Sequence, residues 1–195
     1  MIPQNLIEGL RQRYGEPQRH YHTWKHIEAL LEQYQRWEEA FHRPGPVLWA
    51  LYWHDAIYDP RAKDNEELSA QLLVQDARGH LSPEGIQLAA RIIRATAGHK
   101  VPEGIANEDA EDLALFLDLD LSILGARKEV YDHYEQDIRA EYAFVPSDMY
   151  RAGRSALLKD FLGRDRLYLT PQAHAEWDQA ARANLERAIR VLELG

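Results

Sequence analysis

The sequence predicts an all-α fold in a single domain. Three observations carry this. Apolar residues recur at three- and four-residue spacing over nearly the whole chain, the period of helices with one buried face. Prolines, glycines and small polar caps fall at the ends of these periodic stretches. The only strand-like run, Arg166–Thr170 (RLYLT), is too short to build a sheet.

The helices follow in order. Leu6–Arg13 opens the chain and closes at Gly15 and Pro17. Thr23 is placed to cap a second helix reaching about Phe41, with Ile27, Leu30, Leu31, Tyr34, Trp37 and Phe41 on its apolar face. The turn Pro44–Pro46 stops it and starts a third, Val47–Asp55. Asp64 caps a fourth, from Asn65 to about Arg78, and Ser82-Pro83 starts a fifth that runs through Ala97 to Gly98. Glu108–Asp120 is a sixth, and Arg127–Tyr142 a seventh whose face is Val130, Tyr134 and Ile138. Ser147 caps an eighth through Leu162, and Pro171 opens the last, with Ala173, Trp177, Ala181, Leu185, Ala188 and Leu192 in register.

Composition narrows the chemistry. The 195 residues are 45% hydrophobic and 28% charged, enough for one domain with a real core. There is no cysteine, which excludes disulfides, zinc–thiolate and iron–sulfur sites and thiol nucleophiles. Any metal must be held by nitrogen and oxygen. Lysine and arginine total 23 against 32 acidic residues, a net charge of −9 that disfavours a surface for nucleic-acid polymers but not a pocket for one nucleotide. The start, MIPQNLIEGLRQRYGEP, lacks the basic and apolar segments of a signal peptide, and no apolar run approaches a membrane span. A cytoplasmic protein is expected.

The third helix places His54 and Asp55 side by side at the end of an apolar run. His54 shares a face with Val47, Ala50 and Leu51, which predicts burial, and a buried ionisable pair needs compensation. Upstream, His22 and His26 stand one helical turn apart, so they face the same way. Downstream, Leu115–Gly125 (LFLDLDLSILG) sets Asp118 and Asp120 in an apolar helix, flanking opposite borders of its stripe. Each feature has a plain structural alternative: a helix-end histidine bonded to a carbonyl, a surface pair, a capping or solvated aspartate.

Together, the order of His26, then His54-Asp55, then Asp118 or Asp120, on separate helices, resembles the HD superfamily of metal-dependent phosphohydrolases. The phrase HDAIYDP…DNEELSA is similar to a bacterial subgroup of HD-superfamily hydrolases. The likeness covers roughly residues 20–125 and implies an HD-domain-like helical bundle with a metal at its middle. It implies His26, His54, Asp55 and Asp120 as ligands, Asp120 because the last family aspartate directly precedes a helical leucine, here Leu121. Asp118 stays an alternative.

With nitrogen and oxygen donors, the implied ion is divalent manganese, iron, cobalt, nickel, zinc or magnesium. The implied reaction is hydrolysis of a small phosphorylated compound, with a nucleotide as the expected class, by metal-activated water. Asp55 would bind the ion and orient the nucleophile. Glu66 is the candidate general base or partner of a ligand histidine, although an acid in a first helical turn also suits the macrodipole. His22, His99 and Lys100 are candidate substrate contacts, and Arg19, Lys25 and Lys63 are other nearby cations.

Two other functions stay open. A di-iron oxygenase would need His80 and His99 as added ligands, and a non-catalytic sensor would bind metal or nucleotide without turnover. The helices after residue 126 either complete the core or form a homodimer face. No membrane partner is expected.

Overall fold

A computed structural model describes residues 2–194, which form nine α-helices and no β-strand. They are α1 (Gln4–Arg13), α2 (Trp24–Trp37), α3 (Pro44–Trp53), α4 (Asn65–Asp76), α5 (Pro83–Thr96), α6 (Asn107–Asp120), α7 (Lys128–Glu141), α8 (Ser147–Leu162) and α9 (Pro171–Leu194). Among these residues no helix is long and apolar enough to cross a membrane. The chain divides into two compact units, Met1–Asp120 and Leu121–Gly195.

In the first unit α3 is the central helix. It is apolar nearly all round, with Val47, Trp49, Ala50, Leu51 and Trp53 buried, and it packs against α2, α4, α5 and α6. It begins at Pro44 rather than Val47, because proline's fixed φ suits a first helical turn. The two amides just before it are met from α6. The buried Asp112 carboxylate accepts from the N–H of His42 at 2.7 Å and of Arg43 at 2.8 Å. Burial pushes the Asp112 carboxyl up, against the pull of those two amides.

Three expected caps are not used, one of them Ser147, which is the first residue of α8 behind an N-cap at Pro146 with no side-chain capping bond. Thr23 makes no capping bond, and its hydroxyl instead faces the Tyr21 carbonyl. Asp64 makes none either, and its neighbour Asn65 turns back onto the loop after α3. There Asn65 Nδ2 donates to Asp59 O at 2.8 Å, while Asn65 Oδ1 accepts from Asp59 N at 3.0 Å. One turn on, the buried Ser69 hydroxyl accepts from Ile57 N at 3.0 Å and donates to Ile57 O at 3.3 Å. The loop that follows His54-Asp55 is thus fastened to α4 by two side chains. Ser82 does cap α5, accepting from Gly85 N at 3.1 Å.

The second unit starts with a 3-10 turn, Leu121–Gly125, and holds α7, α8 and α9. Arg166–Thr170 is no strand. Leu167 and Tyr168 are buried there, and the Tyr168 hydroxyl donates to Leu121 O at 3.0 Å. Asn184 of α9 donates to Leu124 O and Ala126 O. The face of α7 differs from the expected one at its start, where Tyr131 is fully buried and Val130 is exposed, while Ile138 is buried as expected. The tyrosine ring fills more of the core than valine would, and so takes the inward position. Buried Arg154 of α8 pairs in two-pronged fashion with Glu135 of α7, at 2.7 and 3.1 Å, and with the Tyr134 hydroxyl.

Candidate metal centre

Three helix ends meet in the first unit. The start of α2 brings His26, the end of α3 brings His54 and Asp55, and the last residue of α6 is Asp120. The Nε2 atoms of His26 and His54 lie 3.1 Å apart. Asp120 Oδ1 is 3.4 Å from His26 Nε2 and 3.6 Å from His54 Nε2. His26, His54 and Asp120 form a group that can hold a metal ion, their nearest donor atoms all within 4.8 Å of one another. Asp55 lies outside that mutual group, yet its Oδ2 is 3.0 Å from His54 Nε2 and 3.8 Å from His26 Nε2.

The tautomer of His54 follows from its other nitrogen. Nδ1 faces the Leu51 carbonyl at 2.9 Å, and a carbonyl only accepts, so Nδ1 carries the hydrogen. Nε2 is then the atom directed at His26, Asp55 and Asp120, and it would bind a cation in place of a proton. Both histidines are buried, His54 at 1% and His26 at 7% exposure, so neither donor is satisfied by bulk water.

The electrostatics favour positive charge at this point. Burial works against ionising either aspartate, but His54, His22 and His26 hold the Asp55 carboxyl well below its usual range. Burial likewise opposes Asp120, and bonds from His26 and His99 bring it far down. Burial lowers the His54 imidazole, but the Asp55 charge and hydrogen bond, with Asp120 and the Leu51 carbonyl, push it up to about 9. Burial prevails at His26, whose pKa is lowered, with His54 adding repulsion. Two anionic carboxylates and two imidazole nitrogens around one point fit a divalent cation with an all-nitrogen and oxygen shell.

Asp118 is also buried, but it is not in the group. The roll of α6 explains the choice. Asp112 faces the start of α3, and eight residues further round the helix Asp120 lies about 80° from it, whereas Asp118 lies about 120° away on the other side.

His22 is half-buried and stacks on Tyr58 with ring centroids 4.2 Å apart, while Tyr21 tilts over His26 at 4.9 Å. These rings form an aromatic flank to the donor set. His99 Nε2 is 3.0 Å from Asp120 Oδ2, so it contacts the carboxylate of the candidate group. Lys100, Lys25 and Lys63 are exposed. Glu66 is half-buried at the start of α4, on the side of Ser69, Ala70 and Leu73, and its carboxylate makes no ion pair or hydrogen bond among the described residues. His80 is exposed and stacks on Trp49, and it does not join a second metal cluster among the described residues.

Arg19 is the residue whose role sequence reasoning missed. Expected as a surface cation near the motifs, it is buried, its side chain fully so. Nη1 donates to Asp55 O at 2.7 Å and to His22 O at 3.0 Å, and Nη2 donates to Ala56 O at 3.2 Å. It satisfies carbonyls at the end of α3 and ties them to the segment carrying His22. The only hint in the sequence is its place three residues before His22.

A scan against protein-family models finds no match, and searches of curated proteins and of solved structures return none either.

Proposed function

We propose that this chain is a divalent-metal-dependent phosphohydrolase acting on a small phosphorylated compound, with a nucleotide as the substrate class. The observation that carries the proposal is the convergence of His26 Nε2, His54 Nε2, Asp55 Oδ2 and Asp120 Oδ1 from three helices. The order of these residues along the chain adds the resemblance to the HD superfamily.

A divalent ion supplies Lewis acidity toward water and toward a phosphoryl oxygen when bound. The chain's own residues do the rest. His26, His54 and Asp120 bind, with Nδ1–H of His54 anchored on Leu51 O so that Nε2 stays directed inward. Asp55 is ionised at neutral pH and sits on a backbone fastened by Arg19, which suits it both to bind and to orient the attacking water. Glu66, half-buried and without an ion pair among the described residues, is the candidate to accept that water's proton at its carboxylate. The flank of Tyr21, His22 and Tyr58 offers π-faces to a nucleobase.

The test is release of inorganic phosphate by metal-stripped protein reloaded singly with Mn(II), Co(II), Zn(II) or Mg(II). The panel holds nucleotides, sugar phosphates and pyrophosphate. Turnover that needs the ion and is lost in Asp55→Ala supports the reading. Tight metal binding with no cleavage across the panel overturns it.

A further inference from the structure

We propose that His99 is a positioning residue for Asp120, holding its outer oxygen so that the inner one stays turned toward the two histidines. The inference rests on the metal reading above. Its starting point is the division of labour within one carboxylate. Asp120 Oδ1 faces His26 and His54 at 3.4 and 3.6 Å, while Oδ2 faces His99 Nε2 at 3.0 Å. An aspartate at the last residue of a helix keeps rotamer freedom, and a hydrogen bond to one oxygen removes it. His99 itself lies outside the donor group, so it acts on the ligand carboxylate.

The backbone shows how His99 is brought there. Helix α5 ends at Thr96, and the N–H of His99 donates back to Ala95 O at 2.9 Å. To make this closing turn His99 adopts φ +47°, and it is the only non-glycine residue with positive φ among the described residues. That left-handed position after a helix is where glycine is favoured. The chain has a glycine one residue earlier, Gly98, whose own φ is ordinary and beside which an added Cβ would meet nothing within 4 Å. Glycine therefore stands where space and φ do not require it, and a ring stands where the backbone would favour glycine. A side chain kept in a disfavoured conformation while bonded to a functional group is the pattern of strain held at a site. The 14-residue helix α5 thus delivers the ring from a rigid support.

The reading separates His99 from a residue that only ends a helix. A helix stop needs the left-handed backbone, which glycine provides best. The hold on Asp120 needs the ring nitrogen.

The experiment measures Co(II) and Mn(II) affinity by competition with a chelator, together with the visible spectrum of the Co(II) form. Wild type is compared with His99→Gly and His99→Gln. His99→Gly keeps the turn without strain, so folding is not in question. Its expected affinity for both ions is about 10- to 100-fold weaker, the usual loss when an outer-shell partner is removed. Its Co(II) bands are expected to shift as Asp120 gains freedom. His99→Gln returns an N–H donor and is expected to bind more tightly than the glycine variant. Wild-type affinity and spectrum in His99→Gly overturn the proposal while leaving the metal reading intact. A glutamine variant no better than glycine also overturns it, since the donated hydrogen bond is then not what matters. A wild type that takes up neither ion overturns the metal reading, and this proposal with it.

Discussion

The Nε2 atoms of His26 and His54 face each other 3.1 Å apart inside the first unit, one at the start of α2 and the other just past the end of α3. Each is buried, and each has a carboxylate within 4 Å. Without a cation between them, a proton must be shared across the cluster. A cation there would be met by both Nε2 lone pairs and by an Asp120 oxygen. Addition of Mn(II) or Co(II) to EDTA-treated protein is therefore expected to raise its melting temperature. An ion at a hundred times its dissociation constant adds about 2.7 kcal/mol. His54→Ala and Asp120→Asn should abolish that shift. Melting curves unmoved by any divalent ion would sink the metal reading.

Arg19 holds three backbone carbonyls with one guanidinium, two of them at Asp55 and Ala56. Arg19→Gln leaves most of these acceptors without a partner, at an expected cost of about 3 kcal/mol in denaturant unfolding. Arg19→Lys should recover little, because a single ammonium cannot reach three acceptors in a fixed fork. Metal affinity should fall in both variants, since the Asp55 backbone loses its tether. Unfolding midpoints equal to wild type would show that the guanidinium is dispensable.

Asp112 anchors the residues that lead into α3 from another helix, through the amides of His42 and Arg43. Asp112→Ala is expected to cost about 2 kcal/mol, and Asp112→Asn less, because one acceptor oxygen remains. A urea titration checks this through the midpoint, with the slope unchanged.

Gly125 is needed for space rather than for backbone freedom. A Cβ there would lie 2.6 Å from the Trp177 Cβ, 3.0 Å from its carbonyl oxygen and 3.1 Å from its Cα. None of these atoms is the end of a flexible side chain. Gly125→Ala is expected to destabilise by about 1–3 kcal/mol as α9 is pushed away. Unchanged thermal stability in this variant would contradict the close approach.

Glu67 of α4 receives two bonds from Arg94 of α5, at 2.6 and 3.0 Å. These bonds, with one from Gln71, hold its carboxyl at about 2, below its ordinary 4.5. A depressed acid stabilises the fold at pH above its unfolded value, and the stabilisation is lost as pH falls through its folded value. Glu67→Gln should therefore melt below wild type at pH 7, and the gap should close between pH 4.5 and about 2. A gap that stays constant across that range would exclude the ion pair as its source.

The helices were legible because their signals are local. An apolar residue every third or fourth position, a proline at a first turn or a glycine after a last one acts within a turn or two of chain. Hence α8 ends where expected, at Leu162, and the helices otherwise differ by a few residues at their ends. The exceptions are local competitions: Tyr131 displaces Val130 from the core, and Asn65 serves the loop where Asp64 was expected to cap.

The sequence by itself determined that the chain is helical, that His54-Asp55 ends a buried helix, and that His26 and an aspartate of α6 are candidates to join it. Only the tertiary structure decided which atoms meet. Two neighbouring acids on a helix flank opposite sides, so the choice of Asp120 over Asp118 depends on the roll of α6, and Asp112 bears on that roll from 69 and 70 residues away in sequence. The burial of Arg19 on the Asp55 and Ala56 carbonyls is likewise a contact across 36 and 37 residues. The bond from His99 to Asp120 spans 21. Periodicity tells which way a side chain leans on its own helix, but not which partner it finds there. That partner is set by how helices distant in sequence dock, through hydrogen bonds and core packing that no short window of sequence contains.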